Sequence, residues 1–357
     1  MQVEIKPFDE TTAEDAKLVV RRMFGSCAEP QVSHILQNPL RRLCQSAGDV
    51  VYEDNRPVGF QAAILRRVHI GNRKILAVVG GMLAMYPEAS PVNLLALMKK
   101  TIAPRAGSSM FIANTANPSS MKMNRMLGIK GKGPYTCGVS RFGIVHFGSF
   151  LRLLTRGMLP VLISEIINRI GCVWWQKKDF LQKHEIKVLN HFDAEIFQRF
   201  WDAYLKSMNG EGVVLSRTVE ELNWAFLTDI QHGRNILLGR FSGNELLGYI
   251  VVRRIDEMGM RWQIVDWISI ANDEMVLWEL LCGAKSFLYD NSKAAILQCI
   301  GFPERAQKII CRVLPFKKKH ANNSFIYSSG DHLVTKELEK SSSGWFWGPY
   351  DGDRCIA

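Results

Sequence analysis

The sequence predicts a mixed α/β protein made of two similar halves, each a mixed, mostly antiparallel sheet flanked by helices. Three observations carry this. The chain has 357 residues, too many for one core of usual size and enough for two domains of roughly 150 to 180 residues. Strand and helix patterns in the first part of the chain follow the order β α α β β β α β α. A stretch of the first half also reappears in the second: Asp49 to Phe60 (DVVYEDNRPVGF) aligns with Leu238 to Tyr249 (LGRFSGNELLGY), 238 − 49 = 189 residues later, and a fixed offset of this kind marks duplicated architecture.

The elements read as follows. Val3 to Ile5 alternates like a strand, and Thr12 to Phe24 spaces Ala13, Ala16, Val19, Val20 and Met23 like a helix, with Thr11 or Thr12 as its cap. A second helix is expected over Val32 to Cys44. Asp49 to Glu53, the Asp54-Asn55 turn and Pro57 to Val68 read as a hairpin. Ile75 to Met85 is almost continuously apolar around Gly80-Gly81, as in a central strand buried on both faces. Ser90-Pro91 opens a helix to about Ala103, Met110 to Ala113 is a strand, and Ser119 to Leu127 is a helix closed by Gly128. The second half repeats the order: helices over Ala194 to Leu205 and Val219 to Phe226, a hairpin around Asn244, a strand over Arg261 to Ile270, a helix over Glu274 to Tyr289, a strand over Ala294 to Ile300 and a helix over Pro303 to Val313. The boundaries expected from this are 1–140 and 188–330 for the two domains, 141–187 for a basic connector and 331–357 for an aromatic and acidic tail.

Composition narrows the class. Apolar residues make up 47% and charged residues 22%, which excludes disorder and low-complexity structure. The net charge is 45 − 34 = +11, favouring anionic partners without choosing among cofactor phosphate, nucleic acid and acidic lipid. The eight cysteines and eight histidines show no metal-ligand or triad spacing, so no metal site and no hydrolase triad are expected. Scattered reduced thiols, together with an acidic N-terminus lacking an apolar core, point to the cytoplasm. The connector sets Arg141, Arg152, Arg156, Arg169, Lys177, Lys178, Lys183 and Lys187 beside Trp174 and Trp175. It reads either as a helical segment packed on the first domain or as an interfacial helix making peripheral membrane contact through 146–178.

The order strand, two helices, hairpin, apolar strand, helix, strand, helix resembles the GNAT acetyltransferase superfamily, and its duplication resembles tandem-GNAT proteins. The resemblance implies that the central strand splays from its neighbour and offers unpaired backbone at Leu83, Ala84 and Met85 to the pantetheine of acetyl-CoA or another acyl-CoA. The following helix would then meet the pyrophosphate. That phosphate segment falls on Ser90, Val92, Asn93 and Leu94, where family glycines are replaced by Asn93 and Leu95. Asn117 and Asn124, in the stretch Asn114 to Gly128, match an asparagine-bearing segment beside the cofactor arm. Asn117 reads equally well as an Asx-Pro turn.

For proton transfer the candidates are Glu88, after the central strand, and Tyr135. In the second repeat Asp273 and Glu274 oppose phosphate. Asp266 reads as a contact for an acceptor amine or as a partner of Arg253 or Arg254. The tail from Ser341 to Asp353 is similar to the endings of GNAT-like proteins from surface-polysaccharide gene clusters, which implies an amino sugar as acceptor. A Trp-rich tail completing a core is the other reading. Two further functions stay open: a Fem-like transferase using aminoacyl-tRNA, the one role in which nucleic acid would be a partner, and a non-catalytic scaffold.

Overall fold

The computed structural model describes residues 2–44, 46–103, 107–116, 118–129, 131–136, 139–175, 180–302, 306–319, 324–340 and 345–346. The first half contains β1 (Val3–Pro7), α1 (Ala13–Phe24), α2 (Glu29–Leu36), β2 (Gly48–Glu53), β3 (Arg56–Ile70), β4 (Arg73–Met85), α3 (Pro91–Ile102), β5 (Met110–Ala116), α4 (Pro118–Met126) and β6 (Gly131–Thr136). The middle contributes β7 (Val139–Ile144), α5 (Phe147–Leu154), α6 (Val161–Trp175), α7 (Phe180–Lys183), β8 (Ile186–Leu189), α8 (Ala194–Ser207), β9 (Val213–Leu215), α9 (Val219–Leu222) and α10 (Thr228–Gln231). The remainder is β10 (Asn235–Ser242), β11 (Glu245–Arg254), β12 (Arg261–Ser269), α11 (Glu274–Asn291), β13 (Ile296–Ile300), α12 (Gln307–Val313), β14 (Phe316–Lys319), β15 (Ser324–Ser329), α13 (His332–Lys340) and β16 (Trp345–Phe346).

The predicted mixed α/β class is what the structure has, in two sheets of matching order. The first runs β1-β2-β3-β4-β5-β15-β6, with β9 also on β3 and β16 on β9; the second runs β8-β10-β11-β12-β13-β7-β14. In each, one parallel pair interrupts antiparallel neighbours at the same place, β4 with β5 and β12 with β13. The strand between the parallel pair and the far edge is exchanged: β15, from the end of the chain, lies between β5 and β6, and β7, from the middle, lies between β13 and β14. The compact units are therefore interleaved in sequence. One comprises Met1–Cys137, Gly210–Ala225 and Ala321–Ala357, the other Gly138–Asn209 and Phe226–His320, whereas the linear division at 140, 187 and 330 keeps each half contiguous.

Local chemistry explains the elements. Asp54 and Asn55 both take positive φ, 46° and 65°, the turn that matches the twist of a two-residue hairpin. The helix expected to reach Cys44 stops at Leu36 instead. Pro39 cannot occupy a helix interior, and Asn38 restarts the chain as a 3-10 turn by accepting the Leu40 N–H at 2.8 Å while its amide donates to Leu65 O at 3.0 Å. The core of the first unit gathers Leu40, Ala63, Leu65, Val78, Phe111 and Ile129. Residues 210–225 join this unit through Ser216, whose N–H donates to Arg67 O at 2.8 Å, and Trp224, whose indole donates to His34 O at 2.9 Å.

His69, half-buried near the end of β3, gives this unit a pH dependence. Burial pushes its pKa down to about 4, and the Lys74 and Arg67 cations add to the effect. The folded chain therefore holds the ring neutral where the unfolded chain, near pH 6.5, already takes up a proton. Stability is fully present above pH about 6.5 and is expected to fall by about 2 to 3 kcal/mol as the pH drops to about 4. His69→Gln should flatten that slope in urea unfolding series across this window.

Candidate active site

The site of the first unit begins where β4 leaves β5. The parallel pairing runs Ala77↔Met110, Val78↔Phe111 and Val79↔Ile112 and goes no further, while β5 continues against β15. Opposite β3, the register jumps from Ala62↔Gly81 to Phe60↔Ala84, so Gln61 faces two residues of β4. That is a β-bulge, and Met82 within it has φ 45°. A bulge bends its strand, and here the bend leaves the β5-facing edge of β4 from Gly80 to Met85 without a strand partner among the described residues. Leu83, Ala84 and Met85, assigned to the pantetheine arm, lie on this edge. Gly80 sits at the fork because there is no room for a side chain: a Cβ there would lie 2.8 Å from the Phe111 ring and 3.6 Å from Gln61 Nε2.

Gln61 is the residue that sequence reasoning missed. It is 5% exposed, and its Oε1 has no hydrogen-bond partner among the described residues. A buried amide oxygen without a donor costs free energy, and the amide that carries it lies beside the fork, its Nε2 3.6 Å from where a Gly80 Cβ would be. The signal was present in the sequence: a single polar residue inside the apolar run Val58-Gly59-Phe60-Gln61-Ala62-Ala63-Ile64-Leu65.

At the next helix the arrangement differs from the expectation. Glu53, at the end of β2, accepts hydrogen bonds from the Ser90 N–H at 3.1 Å and from the Asn93 side-chain amide. Ser90 caps α3 by accepting the Val92 N–H at 3.4 Å, and its carbonyl accepts the Asn93 and Leu94 N–H groups at 2.9 and 3.4 Å. Each N–H that Ser90, Val92, Asn93 and Leu94 were to offer a pyrophosphate thus has a partner. A carboxylate, moreover, already occupies the positive end of the helix dipole. The residues present fit the arm of an acyl-CoA and do not fit its pyrophosphate at α3.

The other predicted residues scatter. Glu88 is exposed and pairs with Arg22 of α1 at 2.5 Å; Arg22 also lies 4.0 Å above the Tyr86 ring. A hydrogen bond from its own backbone N–H, and then the Arg22 guanidinium, hold the Glu88 carboxyl below the usual range, which weakens it as a base. Asn124 is buried in α4, Tyr135 lies on β6 with its side chain outside the described residues, and Asn117 is outside them altogether. Of the tail, Trp345 and Phe346 pair in parallel with Val213 and Val214 of β9, and 347–357 lie outside the described residues. No group of three or more His, Cys, Asp or Glu able to hold a metal occurs among the described residues.

The second unit repeats the fork with different chemistry. Parallel pairing of β12 ends at Ile264↔Cys299, and a register shift at Val265 follows. Beyond it, Asp266 is 1% exposed and accepts the Tyr249 hydroxyl at 2.6 Å. Tyr249 is ringed by Phe192, Phe197 and Phe200 at centroid distances of 5.5 to 6.2 Å. Of the two arginines expected near it, Arg253 donates to Asn235 Oδ1 at 3.2 Å and lies 3.7 Å from Asp229. The helix α11 is capped by Asp273, which accepts the Met275 and Val276 N–H groups at 2.7 and 3.2 Å. Asp266→Ala is expected to cost about 2 kcal/mol of stability, and combining it with Tyr249→Phe should cost less than the sum of the two. Denaturant unfolding of the three variants measures both terms.

No protein-family model matches the chain, and no curated protein matches it in sequence. Solved structures do match it in fold. A GCN5-related N-acetyltransferase from Kribbella flavida aligns over 93% of this chain and 72% of its own, with a TM-score of 0.59 and 11% identity. Saccharomyces cerevisiae N-myristoyltransferase with bound myristoyl-CoA aligns over 91% and 82%, at 0.57 and 12%. A putative acetyltransferase from Pyrococcus horikoshii aligns over 97% and 93%, at 0.53 and 10%. At such identities the likeness is one of fold.

Proposed function

We propose that the chain is an acyltransferase whose first unit takes an acyl thioester, lays the donor's pantetheine arm along the open edge of β4, and passes the acyl group to a primary amine. The observation that carries this reading is the fork at Val79 with the bulge at Met82, which leaves a strand edge free for the amides of such an arm. The acyltransferase names of the solved proteins that share the fold support it. In the transfer the amine nitrogen attacks the thioester carbonyl, the C–N bond forms, the C–S bond breaks, and the proton lost by the amine ends on the departing thiol. Gln61 Oε1 accepts an N–H from the arm or the amine. An acyl-CoA is the donor class to test first, although the first-turn N–H groups of α3 already have partners and offer its phosphates none. Amino sugars of surface polysaccharides are the acceptor class to screen first.

Isothermal titration tests this with acetyl-CoA, a longer acyl-CoA and the matching acyl-pantetheine, which lacks the pyrophosphate. Both kinds of donor are expected to bind the natural chain, and Glu53→Gln is expected to tighten only the CoA thioesters, by about tenfold, by removing a carboxylate from the α3 terminus. Absence of binding by any thioester would overturn the reading. It would leave a non-catalytic binding protein, which the fully partnered first turn of α3 favours.

A further inference from the structure

Within the connector between the repeats, the turn between α5 and α6 exposes large apolar side chains. The α5–α6 hairpin belongs to the second unit, and its inner side is sealed by small and polar contacts. A Cβ on Gly148 would come within 2.0 Å of Ser164 O, and the Asn168 side chain accepts the Gly148 and Ser149 N–H groups at 2.7 and 3.4 Å, capping α5. On the core side Phe150 and Leu153 of α5 pack against Met260, Ala295 and Ile296, whereas the large apolar residues around the turn face outward: Leu154 is 62% exposed, Met158 81%, Leu162 73% and Ile166 57%, with Val161 and Ile163 also exposed. Such a cluster on one surface feature marks an interaction site.

Charge identifies the occupant. Residues 146–175 carry Arg152, Arg156 and Arg169 against a single acid, Glu165. Exposed Lys293 joins Arg152 and Glu165 in lining a cavity of about 330 Å³ against the hairpin, so that two cations face the one acid there. Apolar side chains at a tip with guanidinium groups beside them suit the boundary of an acidic bilayer, where the first enter the acyl region and the second stay with phosphate. A protein partner of ordinary apolar character would leave these cations unmatched. The hairpin is too short to span: α6 has 15 residues, about 22 Å of helix against about 30 Å of hydrocarbon, and no described helix is long and apolar enough to cross a membrane.

We propose that the α5–α6 hairpin docks the protein on the surface of an anionic phospholipid bilayer, inserting Leu154, Met158, Leu162 and Ile166 and holding lipid phosphate with Arg152 and Arg156. This does not depend on acyl transfer by the first unit. Flotation of the full chain with vesicles tests it, using phosphatidylcholine alone or mixed with phosphatidylglycerol. Binding is expected only to the mixed vesicles and is expected to weaken with salt. Met158→Asp/Leu162→Asp should reduce it at least about tenfold, as should Arg152→Glu/Arg156→Glu, both variants keeping the natural thermal melt. Failure to float with anionic vesicles would overturn the proposal, as would flotation that neither variant changes. So would a concentration-dependent dimer in light scattering that the first variant abolishes in the absence of vesicle binding, since the occupant would then be a second copy.

Discussion

A chain ending at Lys319 is expected to lose the fold of its first unit and keep that of its second, although the cut removes residues only from the far end of the sequence. The deletion takes away β15, which pairs with β5 from Met110 to Ala116 on one side and with β6 on the other. It also takes α13, whose Val334 and Leu338 are buried, the Ser329 hydroxyl donated to Ser109 O at 2.7 Å, and the Asp331 carboxylate 3.1 Å from Arg73. Without β15, the backbone of β5 is left an open edge next to the unpaired edge of β4, and open edges invite aggregation. The second sheet keeps all of its strands, because the exchanged strand it requires is β7. Hydrogen exchange read by mass spectrometry distinguishes the units: protection in β4 and β5 should fall about a hundredfold or more while β11 and β12 stay protected. Equal loss in both, or loss in neither, would show that the exchange of strands does not carry the first unit's stability.

That exchange also marks the limit of what the sequence discloses. The order of elements and the duplication were legible because period and turn chemistry are local: Asp54-Asn55 makes its own turn, and Ile75 to Met85 declares a buried strand wherever it lies. Which sheet a short strand joins is set by partners more than a hundred residues away. Val139 to Ile144 and Ser324 to Ser329 carry nothing local that assigns them, so the boundary expected at 140 cuts through the first and the second falls at the end of the domain expected over 188–330. The site divides in the same way. Gly80-Gly81 signals a close approach within a strand, and at Gly80 the approach is real, with the Phe111 ring and the Gln61 amide around the point where a Cβ would lie. That Ser90 and Asn93 are taken up by Glu53 follows only from the register that ends β2 beside α3. Asp266 followed the same rule, since the apolar residues around Tyr249 decide its partner and they come from α8 and the loop before it.

Gln61→Leu is expected to make the protein more stable and less active. In the natural chain a buried amide oxygen without a donor among the described residues is a standing cost, and a leucine of similar shape removes it, raising stability by about 1 to 2 kcal/mol if its methyl groups fit beside Phe111 and Gly80. If Gln61 exists only to fill space, that is the whole effect. If its oxygen receives an N–H of the donor arm or the amine, the same change should lower kcat/KM for acyl transfer, or thioester affinity where no acceptor is in hand, by about tenfold to a hundredfold. Gln61→Glu separates shape from charge: its carboxylate keeps an acceptor at the fork but must be desolvated, so it should lose stability while retaining more binding than the leucine variant. Thermal melts and titrations on the three proteins decide the matter. Opposite signs for stability and binding in the leucine variant would place Gln61 in the site, because selection for packing alone would not retain the polar residue. A fall in both would make it a structural residue and remove the main side-chain contact from the proposed mechanism.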